Sequence, residues 1–397
     1  MVWLCHFSNQ EIMGKMAPNC RIKESAPWIP LAIKTIEYFN LLEVHVVAPC
    51  FAIREIKEFE LRGVFYHFYP SLTKRPYKLF YNSIVRWDYL TNFKDDRKKI
   101  ERIVNSINPD VIHLFGAENP NYSTSILDLI DKYPCILTVQ GFASNSTVLT
   151  GINKQRAKIE QEIIKRMTVA FYESKAQATD IKERNPNISL FWHFYGSYEI
   201  KRTISKGHEL YDLVFFARIE RDKGIVDLLD AVKLLTSKRP RISLVVIGSG
   251  RITEFQEYSK QIGIDGNVIW AGFQPTRNDV HKLASQARLS VLPTYHDINP
   301  GTIIESMFLE IPVVSYKIGT NLEINETIEC IKLVDIGNVK QLAEAIDELL
   351  TKEDYRQQLA IRAHKRAYEL YAPSIDASRR CLLNGYMSAI NVFNTHE

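Results

Sequence analysis

Short apolar strands alternate with helices twice along the chain, and this alternation limits the possible folds more than any other feature. In the first half, the predicted buried strands are Val2–Phe7, Val44–Ala48, Val64–Phe68, Val111–Phe115, Cys135–Val139 and Val169–Tyr172. In the second half they are Leu213–Ala217, Ser243–Ile247, Val268–Ala271, Leu289–Leu292, Val313–Ser315 and Lys332–Val334. Buried strands that alternate with helices indicate parallel sheets with helices on both faces. The sequence therefore predicts an α/β protein with two doubly wound, Rossmann-like domains.

The length of 397 residues also favours two domains, because a single core rarely grows beyond about 250–300 residues. The polar segment from Phe194 to Leu210 is the predicted linker. We expect an N-terminal domain at 1–195 and a C-terminal domain at 205–370, facing each other across a cleft that binds ligands. Tyr371-Ala372-Pro373 predicts a break, after which the helix 374–397 is expected to turn back onto the first domain.

Bulk properties exclude several classes of protein. No segment approaches about 18 uninterrupted apolar residues, so no membrane span is predicted, and Met1–Phe7 is predicted as a strand and not a signal peptide. The 6 cysteines form no C-x-x-C pair, which favours reduced core thiols and a cytoplasmic location. A net charge of +4 is too small to indicate nucleic-acid binding. No Walker A pattern and no metal-ligand spacing is present.

The segment from Pro293 to Glu305 predicts an anion-binding site. A buried strand leads into a turn, and Gly301-Thr302 then opens an apolar helix. The free N–H groups and the dipole of a helix N-terminus attract anions, and the flanking Asp297 and Glu305 suggest an anion that carries hydroxyl groups. The alternative is a capping box, in which Thr302 is the N-cap and Glu305 bonds back to its N–H.

Two further strand ends carry candidate residues. Arg218 and Lys223 follow one strand, and two cations at one strand end suit a diphosphate, although a solvated loop is the alternative. Val246 to Gly250 follows the next strand and resembles an incomplete dinucleotide fingerprint. A tight turn between strand and helix is the favoured explanation of that glycine pair, which argues against a nicotinamide-dependent enzyme.

In this order, the motifs resemble the retaining nucleotide-sugar glycosyltransferases of the GT-B fold, the group with an E-x₇-E motif. The corresponding segments here run from Ala217 to Gly224, Val246 to Gly250, Asp297 to Glu305, Pro312 to Val314 and Gly319 to Ile324. The resemblance extends from about Leu213 to Ile324, and Asp297 stands where the family has its first Glu.

The resemblance implies roles for individual residues. It assigns catalytic roles to Arg218 and Lys223, which would hold the donor diphosphate, and to Asp297, which would contact the transferred sugar. It assigns donor binding to a second set, in which Glu305 would bind the ribose hydroxyls: Gly248, Gly301, Thr302, Ile303 and Glu305.

The first half resembles the family less closely. The positions expected to contact the acceptor or the sugar are Ser8, His113, Gln140 and Gly141. Phe115 and Gln140 replace histidines that are frequent in the family, and His113 has the alternative of a satisfied core histidine. The aromatic and basic segment from Phe65 to Tyr89 suggests an acceptor surface or a contact with anionic membrane, and core aromatics with solvated charges are the alternative.

The resemblance thus implies a metal-independent, retaining hexosyltransferase that uses a nucleotide-diphosphate sugar as co-substrate and needs no cofactor. The expected acceptor is a glycan or a lipid-linked molecule in surface polysaccharide synthesis. The expected location is cytoplasmic, with peripheral contact to the inner membrane face and no nucleic-acid partner. Two alternatives remain: a catalytically inactive nucleotide-sugar binder, and a glycosidase that uses Asp297 and Glu305 as its acid and base.

Overall fold

The computed structural model describes residues 1–6, 10–16, 26, 28–71, 87–145, 151–193, 200, 209–372 and 374–395. The chain divides into two compact units. Unit 1 comprises Met1–Gly196 together with Ser374–Glu397, and unit 2 comprises Ser197–Pro373.

Unit 1 contains an 8-stranded sheet with the order β3-β4-β2-β1-β5-β6-β7-β8. Its strands are β1 Val2–Leu4, β2 Val44–Cys50, β3 Lys57–Leu61, β4 Val64–Pro70, β5 Ile112–Phe115, β6 Cys135–Thr138, β7 Val169–Tyr172 and β8 Ser189–Trp192. The pairs are parallel, except that β3 runs antiparallel to β4 at one edge. The sequence prediction missed β3 and β8, because these edge strands are half-buried or exposed and lack a continuous apolar run.

The core of unit 1 forms around the central strand β1 and includes the end of the chain. Trp3 is fully buried and donates from Nε1 to the hydroxyl of Tyr386 over 3.1 Å. A Cβ at Gly385 would lie 2.3 Å from Cζ of Phe171, so the C-terminal helix packs closely against β7. Arg379 adds a hydrogen bond of 2.7 Å to the carbonyl of Thr35.

Unit 2 contains a 6-stranded sheet with the order β11-β10-β9-β12-β13-β14. Its strands are β9 Tyr211–Phe216, β10 Leu244–Ile247, β11 Val268–Gly272, β12 Ala287–Leu292, β13 Val313–Tyr316 and β14 Lys332–Val334. These strands pair in parallel. The strand order reverses between β9 and β12, and open α/β sheets bind their ligands beyond the strand ends at such a switch point.

Helices connect the strands. In unit 1 they are α1 Gln10–Met16, α2 Trp28–Ile36, α3 Trp87–Leu90, α4 Lys94–Ile107, α5 Pro120–Ser123, α6 Ile126–Leu129, α7 Gly151–Arg166, α8 Lys175–Arg184 and α16 Ile375–Asn394. In unit 2 they are α9 Ile225–Leu235, α10 Ile252–Gln261, α11 Arg277–Ala284, α12 Gly301–Phe308, α13 Gly319–Ile324, α14 Val339–Thr351 and α15 Glu353–Tyr371. No helix among the described residues has both the length and the apolar composition needed to cross a membrane.

The cysteines that the structure describes are all in the thiol form. Cys5, Cys50, Cys135 and Cys330 are buried, and Cys381 is half-buried. Burial raises the pKa of the Cys5 thiol far above its ordinary value, which makes this thiol an inert core group.

Candidate functional site

Three glycines bring the loops at the switch point of unit 2 into backbone contact. A Cβ at Gly224 would lie 2.0 Å from the carbonyl oxygen of Pro293, and a Cβ at Gly248 would lie 1.9 Å from that of Ala217. A Cβ at Gly250 would lie 2.3 Å from the carbonyl oxygen of Ile219. All three have positive φ angles, which other residues rarely adopt. Gly248 thus has a packing role, because it lets the loop after β10 lie against the loop after β9.

Lys223 and Asp297 form an ion pair at this point. The Nζ of Lys223 lies 2.7 Å from Oδ2 of Asp297, with side-chain exposures of only 13% and 21%. The carbonyl of Asp297 accepts a hydrogen bond of 2.8 Å from Thr320 at the start of α13. Two residues that are far apart in the sequence are therefore joined at the ends of β9 and β12.

Arg218 follows β9 but is considerably more exposed. Its guanidinium lies 2.7 Å from Glu220 and 3.5 Å from Asp222, and 60% of the side chain is accessible to solvent. These carboxylates belong to the same loop as Arg218. The exposed guanidinium is free to turn towards another anion, because surface ion pairs of this kind are weak.

The N-terminus of α12 has a different geometry from the capping box. The helix begins at Gly301 and its N-cap is Pro300, without a side-chain cap. The hydroxyl of Thr302 donates to the carbonyl of Phe216 over 2.6 Å and so ties α12 to the end of β9. The capping-box alternative is therefore wrong, and Thr302 holds two elements together.

The first amides of α12 are arranged for an anion. The N–H of Gly301 donates to the carbonyl of Asn299 over 2.8 Å. The amides of Thr302 and Ile303 have no acceptor among the described residues, as is usual in the first turn of a helix. These two N–H groups, and not the N–H of Gly301, are available to a ligand.

Glu305 lies almost fully buried on α12, between two basic residues. Arg277 donates to its Oε1, and Nε2 of His281 lies 2.8 Å from its Oε2. Burial by itself raises the pKa of Glu305, but the charge of Arg277 and the hydrogen bond of His281 outweigh burial and lower it. Glu305 is thus an ionised carboxylate whose orientation is fixed by two residues of α11.

The sequence prediction missed Arg277 and His281. Their spacing of four positions places them on one face of a helix, and this was the available signal. The sequence alone does not indicate which carboxylate that face meets.

A second carboxylate supports the loop that carries Asp297. Asp227 on α9 accepts a hydrogen bond of 2.6 Å from the hydroxyl of Tyr295. It accepts another from the hydroxyl of Tyr316 at the end of β13. The loop after β12 is therefore tied to α9 through Tyr295 and to α13 through Thr320, and Tyr316 of β13 holds Asp227 in place.

In unit 1, His113 is fully buried in the core. Its Nδ1 lies 3.0 Å from the hydroxyl of Tyr386, and its Nε2 lies 2.7 Å from the hydroxyl of Thr138. Burial lowers the pKa of His113 well below its ordinary value. The prediction of an acceptor contact is wrong for His113, because a neutral imidazole with both nitrogens satisfied is a core group.

The other predicted positions of unit 1 differ in their surroundings. Gln140 and Gly141 are partly exposed after β6, whereas Ser8 lies outside the described residues. In the aromatic segment, Tyr66, Phe68 and Tyr69 are buried, so they belong to the core and not to an acceptor surface. Residues 72–86 of that segment also lie outside the described residues.

Within the described ranges, no three His, Cys, Asp or Glu side chains are grouped so that they could hold a metal ion.

Comparison with known proteins finds a family match within unit 2. Residues 197–366 match the family model of the Glycosyl transferases group 1. The chain is 24% identical over 161 residues to the capsular polysaccharide biosynthesis glycosyltransferase CapM of Staphylococcus aureus, covering 41% of this chain and 42% of CapM. It is 25% identical over 222 residues to the putative teichuronic acid biosynthesis glycosyltransferase TuaC of Bacillus subtilis, covering 53% of this chain and 54% of TuaC. The chain thus spans about half the length of these relatives.

Solved structures match nearly the whole chain. A sucrose-phosphate synthase from Thermosynechococcus elongatus has a TM-score of 0.74 at 13% identity and covers 99% of both chains. The Anabaena protein HepE in complex with UDP and glucose has a TM-score of 0.68 at 13% identity, covering 98% of this chain and 99% of HepE. At this identity the likeness shows the fold, and it confirms the predicted fold class, GT-B with two parallel-sheet domains.

Proposed function

We propose that the chain is a retaining glycosyltransferase that uses a nucleotide-diphosphate sugar, because residues 197–366 match the family model of the Glycosyl transferases group 1. The observation that carries this proposal is the Lys223–Asp297 pair beside the N-terminus of α12. A cation and free amides at the switch point of a parallel sheet form an anion site suited to a diphosphate.

The donor diphosphate would bind at the ends of β9 and β12. Lys223 and Arg218 would neutralise its charge, and the amides of Thr302 and Ile303 would donate to its oxygens. The printed description of HepE names UDP and glucose as its ligands, which makes UDP the first nucleotide to test here.

Glu305 would bind the ribose hydroxyls. Arg277 and His281 each occupy one of its carboxylate oxygens, but a carboxylate has about four lone-pair sites, so acceptor capacity remains. The two basic residues keep the carboxylate ionised and oriented, as hydroxyl recognition requires.

The reaction would proceed by stabilising the departing diphosphate. The acceptor oxygen forms a bond to the anomeric carbon while the bond from that carbon to the diphosphate breaks. The acceptor proton passes to the departing phosphate on the same face, and the configuration is retained. Lys223, Arg218 and the helix amides would supply the charge stabilisation that lowers the barrier, without a metal ion or another cofactor.

The structure disfavours the glycosidase alternative. Hydrolysis by two carboxyl groups needs one of them protonated as the acid. Glu305 has a lowered pKa, and Asp297 is paired with Lys223. Glu305 is therefore not suited to donate a proton, and the ion pair with Lys223 engages the carboxylate of Asp297.

The names of the relatives point to surface polysaccharides. CapM and TuaC are described as capsular and teichuronic acid biosynthesis glycosyltransferases. We therefore propose a hexosyl donor and a glycan or lipid-linked acceptor. Cytoplasmic location, peripheral contact with the membrane and the absence of a nucleic-acid partner stay predictions.

The Lys223→Ala variant tests the proposal. The rate of UDP release from UDP-sugars should fall roughly 30- to 1000-fold, because the activation free energy should rise by on the order of 2–4 kcal/mol. The matched control is Lys317→Ala, because Lys317 forms an ion pair of the same 2.7 Å length with Asp335 on the exposed surface.

Calorimetry with UDP, GDP and ADP accompanies the rate measurement. Near-normal turnover of Lys223→Ala would contradict the assigned role. Nucleotide binding by the unchanged protein without any turnover of the UDP-, GDP- or ADP-sugars would favour the alternative of an inactive nucleotide-sugar binder.

A further inference from the structure

Two histidines meet on neighbouring strands of the unit 1 sheet. His45 is the second residue of β2, and His67 lies in the middle of β4, which pairs with β2 in parallel. The register aligns His45 with Phe65 and Val47 with His67, so both imidazole rings lie on the same face of the sheet. The two histidines are outside residues 197–366, to which the family model corresponds.

Each imidazole is held from its outer side by a carboxylate. Nε2 of His45 lies 3.0 Å from Oε1 of Glu43, and Nδ1 of His67 lies 2.8 Å from Oε1 of Glu58. An ionised carboxylate only accepts hydrogen bonds, so these outer nitrogens carry the ring protons. The ring of Phe65 also stacks on that of His45, with centroids 4.9 Å apart. The orientation of both imidazoles is thus fixed.

The inner nitrogens of the two rings require a positive charge between them. Nδ1 of His45 and Nε2 of His67 are 2.9 Å apart. In two neutral imidazoles that are protonated on their outer nitrogens, both inner nitrogens carry lone pairs, which repel each other at this distance. Turning either ring over would place carbon against its carboxylate, so a flip does not relieve the repulsion. A proton or a metal cation between the inner nitrogens does.

The surroundings of the pair favour a metal cation. A histidine that binds a metal ion almost always donates its other ring N–H to a carboxylate, a carbonyl or water, and here both rings meet a carboxylate. Tetrahedral Zn²⁺ with bonds of about 2.0–2.1 Å holds two nitrogens about 3.3 Å apart. The inner nitrogens would therefore separate by only about 0.4 Å.

The pair is also accessible to an ion from solvent. The side chains of His45 and His67 are 12% and 13% exposed, and those of Glu43 and Glu58 are 72% and 60% exposed. The rings are therefore packed against their neighbours but not sealed in the core. Imidazole ligands suit zinc, copper and nickel, whereas magnesium and calcium prefer oxygen.

We propose that His45 and His67 bind Zn²⁺ through Nδ1 and Nε2, respectively. Each nitrogen donates its lone pair to the ion, a proton shared between the rings leaves to solvent, and water completes the coordination. Two protein ligands make a weaker site than the four ligands of a structural zinc centre. The ion would link β2 to β4, and this inference does not depend on the proposed function.

Isothermal titration calorimetry with ZnCl₂ tests the proposal on the full chain without an affinity tag, after treatment with a chelator. The unchanged protein should bind one ion at this pair, and MgCl₂ should not replace it. His45→Gln and His67→Gln should each weaken binding at least about tenfold, since even the loss of a ligand's outer partner costs roughly 10- to 100-fold. His364→Gln is the control, because His364 lies on α15 with Nδ1 3.3 Å from the carbonyl of Met307, and it should leave binding unchanged.

A variant that removes no metal ligand gives a sharper comparison. Glu58→Ala deletes the outer partner of His67 and should weaken Zn²⁺ binding by about tenfold. Glu60→Ala removes the same charge two positions along β3, opposite Phe65, and should have little effect. Equal effects of the two variants would indicate general attraction by negative charge and would overturn the inference. Circular dichroism checks that each variant is folded.

X-ray absorption spectroscopy on the zinc-loaded, unchanged protein is independent of any variant. The spectrum should show two imidazole nitrogens at about 2.0–2.1 Å from zinc. A shell of oxygen ligands alone would overturn the inference. So would an absence of zinc binding, or equal binding by both histidine variants and the unchanged protein; the inner nitrogens then share a proton. UDP binding is measured in the same samples, so a failure of the proposed function is seen separately.

Discussion

Replacing Asp297 with asparagine is expected to tighten the binding of UDP and to slow sugar transfer. In the structure the carboxylate of Asp297 occupies Lys223 at 2.7 Å. A diphosphate that uses Lys223 must displace this carboxylate. Asparagine has nearly the same size but no charge, so it competes less strongly for the ammonium group.

The magnitude follows from the burial of the pair. A hydrogen bond to a charged group contributes about 1.5–3 kcal/mol when buried, and exposed ion pairs contribute about 0–1 kcal/mol. Side-chain exposures of 13% and 21% place the Lys223–Asp297 pair between these limits. We expect about 1–2 kcal/mol, which corresponds to a roughly 5- to 30-fold lower Kd for UDP.

Isothermal titration calorimetry with UDP measures this change, and a rate assay with the UDP-sugar measures transfer. Asp335→Asn is the matched control, because its ion pair with Lys317 has the same length but is about half exposed. The control should leave UDP affinity unchanged. Equal or weaker UDP binding by Asp297→Asn would refute the idea that the carboxylate competes with the diphosphate.

Two further variants separate other roles. Glu305→Gln should weaken UDP binding by about tenfold and leave pyrophosphate binding nearly unchanged, because pyrophosphate lacks the ribose; equal losses in calorimetry would exclude a ribose contact. Glu118→Gln should raise the stability of unit 1 above that of the unchanged protein, and this gain should be larger at pH 8 than at pH 5. The pKa of Glu118 is raised from 4.5 to about 7, so ionisation costs the folded state up to about 3 kcal/mol as the pH rises through that interval. An equal difference in melting temperature between the variant and the unchanged protein at both pH values would contradict this.

The sequence predicted the central strands of both sheets, because a strand buried on both faces is a short apolar run in any context. It also predicted that motifs after β9 and β12 belong to one site, since parallel strands of one sheet end at the same edge. It missed β3 and β8, whose burial pattern is that of edge strands. The sequence signal for a strand depends on how much of it the sheet covers.

Side-chain partners depended on the tertiary structure. Thr302 and Glu305 fit a local capping pattern in the sequence, but their partners are Phe216, Arg277 and His281. Local patterns describe only the bonds available within one turn, and longer-range bonds replaced them here. The same holds for Lys223, whose partner Asp297 is 74 positions away.

Hydrophobic periodicity and local turn chemistry were enough to predict the fold class, the two sheets and the order of the motifs. In contrast, the burial of His113 in the core and the convergence of Glu118 and Gln140 above Gly116 became evident only in the folded protein. Burial and convergence depend on which strands become neighbours. That pairing is set by packing across the whole sheet and not by any one segment.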